Sequence, residues 1–353
     1  MKKIITMVAG AALLFGMTGC TSTENAATNK LEVTVSTTQI NDFVSQIAGD
    51  KVNLHRLLKP GASAHGFDPS PAELAALKKS DLLVLNGAGL DSFMDPVITS
   101  SGFKGKKISA VDGIDKKRAE AETTAAKEAL EAIGESADEH SDEHSDEQGN
   151  EQADENGDEH DEDRYGAINP HIWTSPEFVR QIVNYIAKEL AELDPANATT
   201  YTQNATAYGA KLDELNRWIK SEYAKVDPAK KKFVSSHNAL VYYLSENNIE
   251  YVGGVIPSFE DNAEPSAAEI NTLVQNIKTK NVPAVFVESS VSSRLGETVA
   301  REAGVPIVQD PIYADSLAAS GEAASYIGSI ISNTRTILKA WGYPDVSVPS
   351  SLK

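Results

Sequence analysis

The sequence predicts an α/β protein of two (βα)-type lobes with parallel sheets, joined by a long rigid helix, with a site in the cleft between the lobes. Three observations carry this. Short apolar runs alternate with amphipathic segments in two series, one ending near Val111 and one starting near Lys232, which is the βαβα pattern of a parallel sheet. The run Asp81-Leu-Leu-Val-Leu-Asn86 is continuously apolar inside its flanks, as a strand covered on both faces requires. Between the series, Tyr201, Ala205, Tyr208, Leu212, Leu215 and Ile219 recur at spacings of 4, 3, 4, 3 and 4. That stripe suits one helix packed along its whole length.

The first twenty residues stand apart. Lys2 and Lys3 precede an apolar stretch, Ile4 to Phe15, that is too short for a comfortable membrane span. Met17-Thr18-Gly19-Cys20 follows and resembles a bacterial lipobox, which implies cleavage before Cys20 and lipidation of it. Cys20 is the chain's one cysteine, so the mature protein is expected to have neither a disulfide nor a free thiol. Residues 21–30 read as a flexible tether, and the expected location is outside the cytoplasmic membrane, anchored by lipid.

The N-terminal lobe is expected over 31–194. Leu31–Ser36 reads as a strand, Gln39–Ala48 as a helix with Ile40, Phe43, Val44 and Ile47 on one face, and Val52–Leu58 as a second strand. His55, on that strand, reads as a surface or structural residue. A Pro- and Gly-rich loop, Lys59 to Pro71, carries His65. Ser70-Pro71-Ala72-Glu73 has the form of an N-cap with Pro at the first helical position, opening a helix to Lys79. The strand at 81–86, a helix around 91–100 and a strand at 107–111 complete the series.

Residues 116–164 interrupt it as an insertion. Its first part is rich in Ala, Glu and Lys and open to helix. Between Glu135 and Asp163 there are fifteen acidic residues and no Lys or Arg, the composition of a disordered, self-repelling segment. Much of the net charge of −19 sits there, so it says little about the partners of the folded part. No basic stripe or aromatic-basic motif points to nucleic acid. His140, His144 and His160 lie in this segment. They leave open an auxiliary metal-collecting role or a plain solvated tether.

Past the insertion, Asn169-Pro170-His171-Ile172-Trp173 makes a turn, and a helix runs from Ser175 to Leu193. Asp194-Pro195-Ala196-Asn197 breaks it, and the connecting helix is expected within 195–226. The C-terminal lobe, 227–353, repeats the pattern. Strands are expected at 232–236, 250–256, 283–288 and 305–309. Helices are expected at 239–247, at 266–280 behind the capping box Ser266-Ala-Ala-Glu269, at 294–303, and at 321–341.

In parallel α/β lobes, ligands gather beyond the carboxyl ends of strands. His65, His171, His237 and Asp315 all fall in or beside such loops, two from each lobe. Three neutral imidazoles and one carboxylate suit Zn²⁺ in tetrahedral geometry; Mn²⁺ ordinarily wants more oxygen donors. Glu288 and Asp310 are alternative carboxylates, with a hydrogen-bonding role expected for Glu288. A zinc hydrolase is the rival class. His140-Ser-Asp-Glu-His144 spells H-x-x-E-H, but that pattern needs both histidines on one face of a stable helix, and this run has no apolar face.

The stretches Ala64-His65-Gly-Phe-Asp-Pro-Ser70, Asn169-Pro170-His171-Ile-Trp173, Ser235-Ser236-His237-Asn-Ala239, Phe286-Val-Glu288-Ser-Ser290 and Tyr313-Ala-Asp315-Ser316-Leu317 resemble those of the cluster A-I zinc/manganese solute-binding lipoproteins of bacterial ABC importers. The resemblance covers essentially the whole mature chain. It implies two lobes on a rigid helix, a monomer, and one metal held by His65, His171, His237 and Asp315. Manganese-binding members tend to have Glu where this chain has His237. It also implies a membrane permease with its ATPase as partner and no enzymatic activity; the connecting helix would limit lobe motion, so small local changes are expected on binding. A manganese or other divalent-metal protein, or a surface adhesin, is the alternative within that family. The acidic segment departs from the family's His-rich loop in holding few histidines.

Overall fold

The computed structural model describes residues 30–66, 69–134 and 167–353. Cys20, Asp68, His140, His144 and His160 lie outside the described residues, and with them the lipobox, the H-x-x-E-H run and nearly all of the 21–30 tether. Among the described residues no helix is long and apolar enough to cross a membrane.

The N-terminal lobe is a four-stranded parallel sheet. β1 (Leu31–Val35) leads into α1 (Thr38–Ala48), whose N-terminus is capped by the Thr37 hydroxyl accepting from the Ile40 amide. Its Ile40, Phe43, Val44 and Ile47 face the core. β2 (Val52–Arg56) returns parallel to β1, and α2 (Pro71–Lys79) starts at the Ser70–Glu73 capping box. β3 (Leu82–Leu85) is buried along its whole length. After α3 (Asp95–Ser101) comes β4 (Lys106–Ser109), and the strand order is β2-β1-β3-β4.

α4 (Lys116–Glu131) forms in the Ala-, Glu- and Lys-rich first part of the insertion, the part the sequence left open to helix. It is a packed helix and belongs to the folded body. Ala119, Thr123 and Leu130 are buried, and the Thr123 hydroxyl lies 3.2 Å from that of Tyr242. Arg118 reaches Glu177 at 2.6 Å and Glu246, in the C-terminal lobe, at 2.7 Å. The helix buries small side chains and anchors itself by ion pairs, so its sequence shows no apolar stripe.

α5 (Pro176–Leu193) packs against α6 (Ala198–Tyr223), the long connecting helix. At 1.5 Å per residue α6 is about 39 Å long. The six stripe residues are all buried. Near its start, Asn204 donates to the carbonyl of Ile47 and the Tyr208 hydroxyl donates to Asp42, both of α1. Near its end, the Trp218 indole donates to the carbonyl of Ser347, and Tyr223 and Tyr243 hydroxyls lie 2.9 Å apart. One helix is thus fastened to the first lobe at one end and the second at the other.

The C-terminal lobe holds β5 (Lys232–Ser235), α7 (Val241–Glu246), β6 (Glu250–Gly254), α8 (Ala267–Lys280), β7 (Val285–Glu288), α9 (Arg294–Ala303), β8 (Ile307–Ile312) and α10 (Tyr326–Ala340). Its strands form two parallel pairs, β5-β6 and β7-β8, each with a register break. In β8 the break coincides with Pro311, which has no amide to give a ladder. Val234, Val252, Leu273, Ile277, Val285 and Val299 form a separate core for this lobe.

Leu215 is fully buried on α6. Leu215→Ala is expected to cost about 2–5 kcal/mol of stability, read from urea unfolding; a cost below about 1 kcal/mol would mean the strut is not packed as described.

Candidate metal centre

Each of the four predicted residues is presented by a locally determined loop. His65 follows β2; its amide donates to the Ser63 hydroxyl, and Gly61, at φ +80°, turns the loop. His171 caps the short turn Ile172–Thr174, and its carbonyl accepts from both the amide and the hydroxyl of Thr174. His237 follows β5, and its carbonyl accepts from the Ser235 hydroxyl. Beneath it, β6 ends in Gly254, where a Cβ would stand 2.6 Å from the Ile256 carbonyl oxygen and 3.3 Å from His237 Cα, so only glycine fits. Asp315 follows β8. Two residues before it, the Asn333 side chain accepts from the amide of Tyr313 and donates to its carbonyl.

The four side chains converge. One donor atom from each lies within 4.8 Å of the other three, and all four residues are buried. His171 Nε2 stands 3.2 Å from His65 Nε2, 3.2 Å from His237 Nε2 and 3.2 Å from Asp315 Oδ1. Asp315 Oδ2 is 3.6 Å from His65 Nε2 and 3.4 Å from His237 Nε2. A tetrahedral ion with bonds of about 2.0–2.2 Å spaces its donors about 3.3–3.6 Å apart.

Two rings are held from behind. Asn169 Oδ1 accepts from the His171 backbone amide and lies 2.7 Å from His171 Nδ1, while Asn169 Nδ2 donates to the carbonyl of Asn238. That network sets the direction of the Asn169 amide and puts the His171 ring proton on Nδ1. Glu288 plays the same part for His237: Oε1 accepts from the backbone amide, and Oε2 lies 2.6 Å from Nδ1. Each Nδ1 is thereby occupied from behind, and each Nε2 is turned toward the cluster. Glu288 therefore sits behind His237, outside the group of four. Asp310 is exposed on β8 and paired with Lys339 at 2.8 Å. His55 pairs with Glu32 far from the cleft.

Burial raises the Asp315 carboxyl, yet the facing His237 and His65 overcome it and hold the group well below the usual carboxylate range. Burial holds His171 down to about 3 against the pull of Asp315. Burial also lowers His237, but Glu288 and Asp315 outweigh it and push the ring up to about 9. Both Asp315 oxygens are buried and accept no hydrogen bond. A carboxylate in that position calls for a cation. Asn169, inside the His171 motif, is the residue behind the ligands that the sequence left without a role, since nothing local marks it.

Two α/β lobes fixed on one helix and closed over a buried His₃Asp cluster define a cleft-type solute-binding protein with the donor chemistry of a metal. The comparisons agree. Residues 33–340 match the family described as zinc-uptake complex component A, periplasmic, and the chain belongs to that family. It is 28% identical over 325 residues to the manganese ABC transporter substrate-binding lipoprotein PsaA of Streptococcus pneumoniae, covering 91% of this chain and 93% of that one. It is 28% identical over 331 residues, with the same coverage, to the iron ABC transporter substrate-binding lipoprotein MtsA of Streptococcus pyogenes serotype M1. The periplasmic zinc binding protein TroA from Treponema pallidum shares the fold, with a TM-score of 0.71 at 20% identity over 88% of this chain and 99% of that one. The chain is accordingly a metal-binding component of the ABC-importer type, a transport protein by family.

A ring pushed above its ordinary value stabilises the fold while protonated. That contribution is complete below about pH 6.5 and is lost as pH rises through about 9. Metal-free protein should therefore lose thermal stability along this limb, and Glu288→Gln should flatten it. Unfolding scans in chelator would measure both; an unchanged limb in the variant would assign it to other groups.

Proposed function

We propose that this protein is the extracytoplasmic solute-binding component of an importer for zinc, with His65, His171, His237 and Asp315 as its ligands. The observation that carries the reading is the convergence of four buried residues, three His and one Asp, whose donor atoms lie within 4.8 Å of one another with His–His and His–Asp contacts of 3.2–3.6 Å, close enough for one small ion to bind all four. Three nitrogens and one carboxylate favour zinc over manganese, which prefers more oxygen and a higher coordination number. The nearest further carboxylate, Glu288, is taken up by His237 Nδ1 and is not offered to the ion. Four protein donors also leave no open position for a water, which a catalytic zinc requires; this favours carriage over hydrolysis.

The working cycle is capture and delivery. The metal loses its water to the four donors in the cleft, and His237 gives up a proton as it becomes a ligand. α6 restrains the lobes, so the change on binding is small and local. A membrane permease, driven by its ATPase, then engages both lobes and loosens the site. Cys20 carries the lipid that keeps the protein at the outer face of the cytoplasmic membrane, a reading supported by the lipobox and by lipoprotein relatives.

The deciding experiment is a competition titration on metal-stripped protein starting at Thr21. Wild type should show one tight zinc site and poor manganese binding, and His237→Ala should lose zinc affinity by at least a hundredfold. Tight manganese binding, or zinc binding that survives in the variant, would overturn the assignment. Cys20→Ala should shift the full-length protein from the membrane fraction to the soluble fraction of fractionated cells; continued membrane retention would remove the lipid anchor.

A further inference from the structure

Trp173 and Gln39 are not among the four ligands, yet both reach the loop that carries Asp315. The Trp173 indole Nε1–H donates to the carbonyl of Ala314 at 2.7 Å, and the Gln39 side-chain amide donates to the same oxygen at 3.3 Å. Ala314 immediately precedes Asp315. Two residues after it, the Leu317 amide donates to the Thr38 hydroxyl at 3.0 Å, and Ser316 Oγ accepts from the Gly61 amide at 2.7 Å. The Asp315 loop belongs to the C-terminal lobe by sequence, but its grips on both sides come from the N-terminal lobe. Within the C-terminal lobe, Tyr313 is held by Asn333 of α10 and the Ala318 amide donates to the carbonyl of Ala323.

This arrangement answers a need. At its own oxygens Asp315 meets only the three ligand imidazoles, so its aim depends on how its backbone is held. The aim is set by the backbone on either side. Trp173 is buried, and its ring packs edge-on against His171 at a centroid distance of 5.3 Å. One side chain therefore braces an imidazole from the first lobe and a carboxylate-bearing backbone from the second.

We propose that Trp173 is a positioning residue for the metal site: through the Ala314 carbonyl, with Gln39 as second donor, it holds Asp315 on the ion and ties that ligand to the opposite lobe. Separating the lobes then takes Asp315 away from His65 and His171 and leaves its backbone without the hydrogen bonds that aim it. The inference rests on the zinc-ligand reading above.

The test is a double-mutant cycle on soluble protein from Thr21, with zinc affinity and zinc release to a chromogenic chelator as readouts. Trp173→Phe keeps an aromatic ring beside His171 and removes the N–H. It should weaken zinc binding about tenfold, the value of one buried hydrogen bond, through faster release with capture little changed. In an Asp315→Ala background the same substitution should change affinity by less than twofold, since its effect runs through Asp315. Cobalt-loaded Trp173→Phe should show a weaker ligand-field band, as expected when a carboxylate is replaced by water. Gln39→Leu leaves the indole in place and should weaken binding about threefold, which keeps the proposal testable if Trp173→Phe fails to fold. An equal loss with and without Asp315 would make Trp173 a packing residue only. No loss from either variant would remove the proposal. If Asp315→Ala itself binds zinc like wild type, the ligand reading fails instead.

Discussion

The structure is organised around a carboxylate that has no hydrogen bond. Asp315 is buried, faces three buried imidazoles, and accepts nothing from any donor at either oxygen. Desolvating a charge without compensation is among the most expensive things a fold can do. A proton held on His237 does not relieve it for the whole cluster. A divalent cation does, because it satisfies all four groups together. A buried carboxylate facing three imidazoles, two of which are held from behind by Asn169 and Glu288, marks a coordination site rather than an ordinary buried polar cluster.

Keeping four such groups aimed at one point falls to the chain around them. Asn169 and Glu288 each spend two acceptor contacts on one histidine, one to the backbone amide and one to the ring. Ring and backbone are thus fixed together, so the ring cannot turn without the loop moving. The scaffold extends the same economy to the lobes. Asn169 also binds the carbonyl of Asn238, and its own carbonyl accepts from the Tyr242 hydroxyl, both across the cleft. The loop that presents His171 is therefore held from the second lobe, while the loop that presents Asp315 is held from the first. With α6 fastened to both lobes, the closed arrangement is supported at the strut and again at the site.

Much of this was legible in the sequence, for reasons tied to distance along the chain. The α6 stripe repeats within a few residues, so periodicity exposes it. Ser70-Pro71 and Ser266-Ala-Ala-Glu269 are local caps, and both helices start where those caps stand. His65, His237 and Asp315 sit one loop beyond an apolar strand, which is where a parallel sheet places ligand-facing residues. The failures are also physical. α4 buries Ala119, Thr123 and Leu130 and anchors itself by Arg118 ion pairs, so no apolar face announces it, and it reads as part of the acidic insertion. In the second lobe the register of the β7-β8 pair breaks beside Pro311, which withholds an amide. Asn169 lies two residues from His171, but Glu288 is 51 from His237, and Ala314 is 141 from Trp173. Contacts of that separation leave no local trace.

The question of which metal is then a question of donor count. Relatives at 28% identity are named for manganese and for iron, so the fold itself does not select. What can select is whether a fifth or sixth oxygen can reach the ion. Here a second carboxylate is close at hand, yet it is directed at His237 Nδ1 and at the backbone amide of the same residue. Turning Glu288 inward would leave that ring without its acceptor and the amide unpaired in a buried place. The same contact that fixes the third imidazole therefore also withholds the oxygen that a larger, harder ion would want. In this reading the preference for a small four-coordinate ion arises from the hydrogen bonding behind the ligands as much as from the ligands themselves.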